Sequence, residues 1–195
     1  MNEIESVPTV LEAAATGEIA DIYSDIRKTL GTSVVNLVWR NLATMPGALR
    51  WAWSMVRPLY LGPALAHAEA VRRALALPKV PELSADALAA TGIGRTSLIK
   101  IREILDSYHH TNALALVVLS ALLERYDSKP AGVVQPFEIV PSPPPTELPT
   151  LPSMAMLQPE VRRLVQQLNE FGEDTEPSLI ASMYRHLAHG HLIWR

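Results

Sequence analysis

Asn112 is the side chain whose placement most invites chemistry. Leu105, Tyr108, Asn112, Ala115, Leu119 and Leu122 recur at intervals of three and four residues, which predicts a helix carrying the amide on its core-facing stripe. A buried amide left unpaired costs about 1–3 kcal/mol. Asn112 is therefore either bonded to another helix's backbone or turned toward a ligand or a water. Glu103 and Asp106 flank the same stripe and are the nearest acids, and both read as solvated. Trp39, Trp51 and Trp53 either pack a core or line a pocket. His186, His189 and His191 lack a carboxylate at matching spacing, so no metal site is expected. His109 and His110 are neighbours on a helix and point about 100° apart. Gly92 and Gly94 have neither a preceding strand nor a third glycine, so they read as a helix stop and not as a phosphate loop. The sequence has no Ser-His-Asp arrangement, P-loop or HExxH motif, and the absence of cysteine excludes disulfides, thiolate ligands and thiol nucleophiles.

The elements that must position these residues read as helices throughout. Thr16 precedes a helix whose Ile19, Ile22, Ile26 and Leu30 follow the 3.6-residue period, and Gly31 follows the last of them. Ser33 predicts a cap for a second helix over 34–44. Its β-branched start has poor intrinsic propensity, so burial must hold it. Pro46-Gly47 breaks the chain and opens a third helix with Leu49, Trp53, Val56 and Tyr60 on one face, which Pro58 kinks or ends. An Ala-rich helix over 63–77, a short one capped by Ser84, and one long helix or two abutting ones over 97–126 complete this part.

From 130 to 152 the character changes: eight of the sixteen prolines fall here, with Glu138 and Glu147 the only charges. Such a stretch favours extended polyproline II geometry and reads as a semi-rigid linker. It separates two stretches that look alike. Glu18-Ile19-Ala20-Asp21-Ile22 and Trp39-Arg40-Asn41-Leu42-Ala43 reappear as Glu160-Val161-Arg162-Arg163-Leu164 and Tyr184-Arg185-His186-Leu187-Ala188, at offsets of 142 and 145 residues. A repeat of this length implies two like-sized halves facing a shared site. The expected organisation is a first helical repeat over 1–128, a Pro-rich linker over 129–157, and the start of an incomplete second repeat over 158–195.

Composition narrows the class of partner. The chain has 195 residues, 48% of them apolar, and a net charge of −3 with both signs spread out, so no basic stripe suits nucleic acid. The longest apolar run, 113–123, has 11 residues against the ~20 of a membrane span. The N-terminus is acidic where a signal peptide is basic, so a cytoplasmic location is expected.

Thr16-Gly17-Glu18-Ile19, the run from Trp39-Arg40-Asn41-Leu42-Ala43 to Thr44-Met45-Pro46-Gly47, and Tyr108-His109-His110-Thr111-Asn112 resemble the first repeat of the group I, non-stereospecific 2-haloacid dehalogenases, the DehI type. The segment 160–188 is similar to the beginning of that family's second repeat. The resemblance implies an all-α pseudo-dimeric fold enclosing one pocket. It also implies hydrolysis of short 2-halocarboxylic acids by direct attack of water on both enantiomers, without metal, cofactor or covalent intermediate. A carboxylate base must then activate the water in a mostly apolar pocket. By the resemblance Asn112 holds the water or substrate. Val34 and Leu37 stand where some members have pocket-lining aromatics, and Ser182 and Tyr184 lie on the second repeat's copy of that helix. The family's base, an Asp, is expected just before the Tyr-Arg pair, where this sequence has Met183, and a thioether does not take a proton from water at neutral pH. The incomplete second repeat points to weak or lost turnover. The alternative is a non-catalytic helical protein that binds a small acid or dimerises through the surface left by the missing half-repeat.

Overall fold

The computed structural model describes residues 7–127, 138–139, 147–170 and 180–188. Among them the regular structure is helical. Eight α-helices follow one another: α1 (Gly17–Leu30), α2 (Leu37–Leu42), α3 (Ala48–Tyr60), α4 (Ala64–Ala74), α5 (Ala85–Ala90), α6 (Arg95–Asp127), α7 (Pro159–Glu170) and α8 (Ser182–Leu187). The expectation of an all-α chain agrees with this. Most of the linker, together with His189 and His191, lies outside the described residues.

The chain divides into two compact units. One comprises Thr9–Leu77 and His109–Glu147, the other Met1–Pro8, Pro78–Tyr108 and Leu148–Arg195. In the first unit, α1 buries Tyr23, Ile26, Thr29 and Leu30, with Ile19 and Ile22 packed at the margin. It stops at Gly31, whose φ of 64° and ψ of 42° place it in the left-handed region; Thr32 N–H then closes on the Arg27 carbonyl at 3.1 Å. A β-carbon is costly there, which is why glycine ends this helix. Gly47, with φ of 76°, makes the same use of glycine at the entry to α3.

α2 is shorter than the predicted 34–44. Residues 33–36 stay outside the helix, Asn36 rather than Ser33 is the capping residue, and Val34 N–H is taken by Thr32 Oγ1 at 3.3 Å. Val35 N–H is likewise taken by Glu12 at 2.8 Å, so side chains satisfy the donors that an earlier helix start would have used. α4 stops at Ala74, short of the predicted 77. α3 runs two residues beyond Pro58, which lies in its last turn, and buries Leu49, Trp53, Val56 and Tyr60 as the pattern predicts. Ser84 caps α5 by accepting from Ala87 N–H, as expected.

Trp39, Trp53 and Tyr60 form an aromatic cluster at the centre of this unit. Trp39 meets Trp53 edge-on at 5.5 Å and Tyr60 at 6.4 Å, the arrangement that ring quadrupoles favour. Two of the three tryptophans weighed in the sequence are therefore core, and Trp51 is exposed. Trp53 Nε1 donates to Asp25 at 2.7 Å, and Arg57 binds the same carboxylate through Nε at 2.6 Å and Nη2 at 3.0 Å. The Arg57 hydrogen bonds hold the Asp25 carboxyl below the usual carboxylate range. Trp39 Nε1 and Tyr60 Oη are buried with no hydrogen-bond partner among the described residues.

Candidate functional site

The second unit is built around α7 and α8. Val161 and Val165 of α7 pack with Met154, Leu157 and Ala188, and Ile180 and Tyr184 close the margin. The residues leading into α7 include Pro149 and Pro152, which have no N–H to give to a ladder but keep their carbonyls. Side chains satisfy those carbonyls. Arg185 Nε donates to Pro152 O at 2.9 Å, His186 Nε2 pairs with Pro149 O at 3.0 Å, and Arg162 reaches the carbonyls of Met154, Ala155 and Leu157 at 2.9, 3.2 and 3.3 Å. Side-chain donors on two helices thus serve backbone carbonyls of the segment that leads into α7.

His186 joins this scaffold to a second polar side chain. Its Nδ1 lies 2.6 Å from Tyr108 Oη, with the ring centroids 5.6 Å apart. A carbonyl oxygen only accepts, so the contact with Pro149 fixes the proton on Nε2. With the ring neutral, Nδ1 is then the acceptor and Tyr108 O–H the donor. His186 is 1% exposed, whereas Tyr108 is only partly buried. The result is a hydrogen-bonded line from a phenol through an oriented imidazole to a backbone carbonyl. Its logic is that of a general-base histidine held in one tautomer by a third group.

The residues singled out from the sequence fall in both units. Val34, just before α2, and Leu37, its first residue, are partly buried in the first unit. Ser182 opens α8 in the second unit, and Met183 and Tyr184 follow it, all three partly buried. Asn112 requires a correction. It is exposed, and the stripe that α6 buries is Ile104, Thr111, Leu114 and Val118, one residue away from the predicted register over most of its length. The residues 113–123 are apolar almost all round, so hydropathy there selects no unique face, and the buried Thr111 is a position that an apolar pattern passes over. Glu103 and Asp106 are exposed, as expected for solvated acids.

His109 is exposed, while its neighbour His110 donates through Nε2 to the Leu30 carbonyl at 2.9 Å and so satisfies the C-terminus of α1. Among the described residues no group of three or more His, Cys, Asp or Glu is placed to hold a metal ion, and no helix is long and apolar enough to cross a membrane. The Tyr108–His186 pair was not legible beforehand. Its partners are 78 residues apart, and no sequence pattern joins them.

No family model matches the chain. It is 30% identical over 128 residues to a configuration-inverting 2-haloacid dehalogenase of Alcaligenes xylosoxydans xylosoxydans, an alignment covering 64% of this chain and 43% of that protein. It is 28% identical over 131 residues, 66% of this chain and 43% of the other, to a configuration-inverting 2-haloacid dehalogenase of Pseudomonas sp. (strain 113). An (R)-2-haloacid dehalogenase of Pseudomonas putida is 24% identical over 113 residues, 54% of this chain and 38% of the other. The chain thus spans about two fifths of the length of the curated relatives it matches. Over roughly 60% of its length it is related to the 2-haloacid dehalogenases.

Proposed function

We propose that this chain is a 2-haloacid dehalogenase-like protein that binds short 2-halocarboxylic acids and hydrolyses their carbon-halogen bond slowly, by direct attack of water at C2. The observation that carries the reading is the similarity to 2-haloacid dehalogenases over about 60% of a chain whose described elements are helical. The reaction needs a proton acceptor for water, donors for the substrate carboxylate and an apolar surface for the departing halide, and it needs no metal or cofactor. Ser182 and Tyr184 supply donors in the unit that holds Met183. By the resemblance Val34 and Leu37 are apolar pocket residues and Asn112 a polar one. Met183 stands where the base is expected, so turnover falls below that of a chain with a carboxylate there.

The repeat organisation belongs to the same proposal, with a first repeat over 1–128, a linker over 129–157 and the start of a second repeat over 158–195. Its support is the likeness of α2 and α8. Both have six residues, both follow an extended residue, Asn36 or Ala181, and both end on a right-handed alanine, Ala43 or Ala188. Each also buries its arginine against a backbone carbonyl, Arg40 Nε on Val35 O at 3.2 Å and Arg185 Nε on Pro152 O at 2.9 Å. The experiment is halide release from each enantiomer of 2-chloropropionate by the full chain and by Met183→Asp. Release by the parent, increased in the variant, is the expected result. Silence from both overturns the reading.

A second reading, a non-catalytic protein that self-associates, is favoured by one observation. Leu116, Leu123 and Tyr126 are exposed large apolar side chains on α6. Their spacing of seven and three residues puts them along one side of the helix.

A further inference from the structure

We propose that Tyr108 and His186 together take the proton from the attacking water, the task that Met183 cannot perform. The inference rests on the dehalogenase reading above and adds the base which that reading lacks.

The chemistry calls for a group that is neutral before the reaction, able to accept a proton during it, and stable once charged. Met183 has no basic atom, and Glu103 and Asp106 are exposed. As the neutral imidazole, His186 is able to accept a proton, and it stays paired at both ring nitrogens once charged. It follows Met183 by three residues, so α8 presents the two side chains on neighbouring turns. In the neutral form the accepting lone pair is on Nδ1, because Nε2 donates to Pro149 O at 3.0 Å. That lone pair is occupied by the hydroxyl of Tyr108 at 2.6 Å. His186 is almost fully buried and Tyr108 only partly so, which makes the phenol the more exposed member of the pair.

The step conserves atoms and charge. The water gives one proton to Tyr108 Oη while Tyr108 gives its own to His186 Nδ1. The water oxygen bonds to C2 of the acid, and the carbon-halogen bond breaks with its electron pair on the halide. The products are a 2-hydroxy acid, a halide ion and an imidazolium, which afterwards loses its proton to solvent. The imidazolium remains paired at both nitrogens, with Nε2–H on the Pro149 carbonyl and Nδ1–H on the phenol oxygen. A carbonyl aimed at the ring favours the charged form, as an orienting carboxylate does in a catalytic triad. Tyr108 touches the water and is the catalytic residue of the pair together with His186, while Pro149 acts through its carbonyl as a positioning group.

The test compares kcat and KM for halide release from both enantiomers of 2-chloropropionate in four full-length proteins: the parent, Tyr108→Phe, Met183→Asp and the double variant Tyr108→Phe with Met183→Asp. Tyr108→Phe keeps the ring and loses only the oxygen. The expected result is a fall in kcat of about 100-fold or more, the contribution of a positioned general base, with KM within about twofold of the parent. The double variant is expected to recover halide release, because a carboxylate at 183 makes the relay dispensable. A purely structural role for Tyr108 would not be repaired by a new acid at 183.

Parent-like kcat in Tyr108→Phe overturns the inference and leaves the dehalogenase reading standing. Release by Met183→Asp alone from a silent parent overturns the inference together with the parent's own turnover, and leaves a dehalogenase-like chain that lacks only its base. Silence from every protein overturns both. The dependence of the parent's kcat on the fraction of D2O supplies a mutation-free check. Two protons moving together give a curved dependence, and a straight line overturns the relay even if a variant fails to fold.

Discussion

Removing the same atom from two tyrosines of one core should change stability in opposite directions. Tyr60 is 4% exposed and its hydroxyl has no hydrogen-bond partner among the described residues; burial pushes its ionisation well above the usual tyrosine range. A buried hydroxyl without a partner costs about 1–3 kcal/mol. The Tyr60 ring, in contrast, packs productively against Trp53 at 5.7 Å and Trp39 at 6.4 Å. Tyr60→Phe keeps the ring and deletes the cost, so it should stabilise by about 1–2 kcal/mol, which for a chain of this size raises Tm by roughly 2–8 °C. Tyr23 is equally buried, but its hydroxyl donates to the Val10 carbonyl at 3.0 Å. Val10 N–H is itself bonded to the Arg40 carbonyl at 3.0 Å, so the residue is held from both sides. Tyr23→Phe should cost about 1–3 kcal/mol, because it removes a donor from a carbonyl that remains largely shielded. Urea unfolding followed by tryptophan fluorescence, read at constant m, measures both changes. A loss of stability in Tyr60→Phe would refute the argument, since it would mean that the hydroxyl has an acceptor after all.

Asp25→Asn should cost about 1 kcal/mol at neutral pH, well below the usual value of a charged hydrogen-bond pair, because Arg57 is 43% exposed and solvent screens the interaction. The Asp25 carboxyl is depressed in the folded chain, so its contribution is present above the unfolded value near 3.8 and is lost as pH falls through the lower folded value; the difference between parent and variant in urea unfolding should therefore shrink below about pH 4. If the second reading of function holds, light scattering should give twice the 21.4 kDa chain mass, and the double substitution Leu116→Glu with Leu123→Glu should halve it; a parent that stays monomeric at high concentration counts against that reading.

Helix ends and faces were legible wherever the chain carries its own punctuation. Gly31 and Pro46-Gly47 mark real boundaries, and Leu49, Trp53, Val56 and Tyr60 bury the predicted face of α3, because a single apolar stripe on an otherwise polar helix leaves one way to pack. α2 begins later than its pattern predicts because Thr32 holds Val34 N–H and Glu12 holds Val35 N–H, and an acceptor as far along the chain as Glu12 leaves no trace in the local pattern. The face of α6 was misjudged for the opposite reason. Its apolar residues surround the helix, so the choice belongs to the neighbours and not to the helix itself.

The site divides along the same line. That position 183 holds a residue unable to act as a base is plain from the sequence, because it depends on one residue and its chemistry. That a base stands one turn further along α8 depends on three residues, Tyr108, Pro149 and His186, the last separated from the others by 78 and 37 positions. No periodicity relates them. What links them is the need to satisfy groups that the backbone leaves open. Proline's carbonyl has no ladder to join, an imidazole beside it donates one proton to that carbonyl, and its remaining nitrogen must then find a donor in a buried place. Tyr108 is that donor. A structural requirement, the fastening of a proline-containing segment, has thus oriented a histidine as a proton-accepting step requires. If halide release in the parent survives Tyr108→Phe unchanged, fastening is all that the orientation accomplishes.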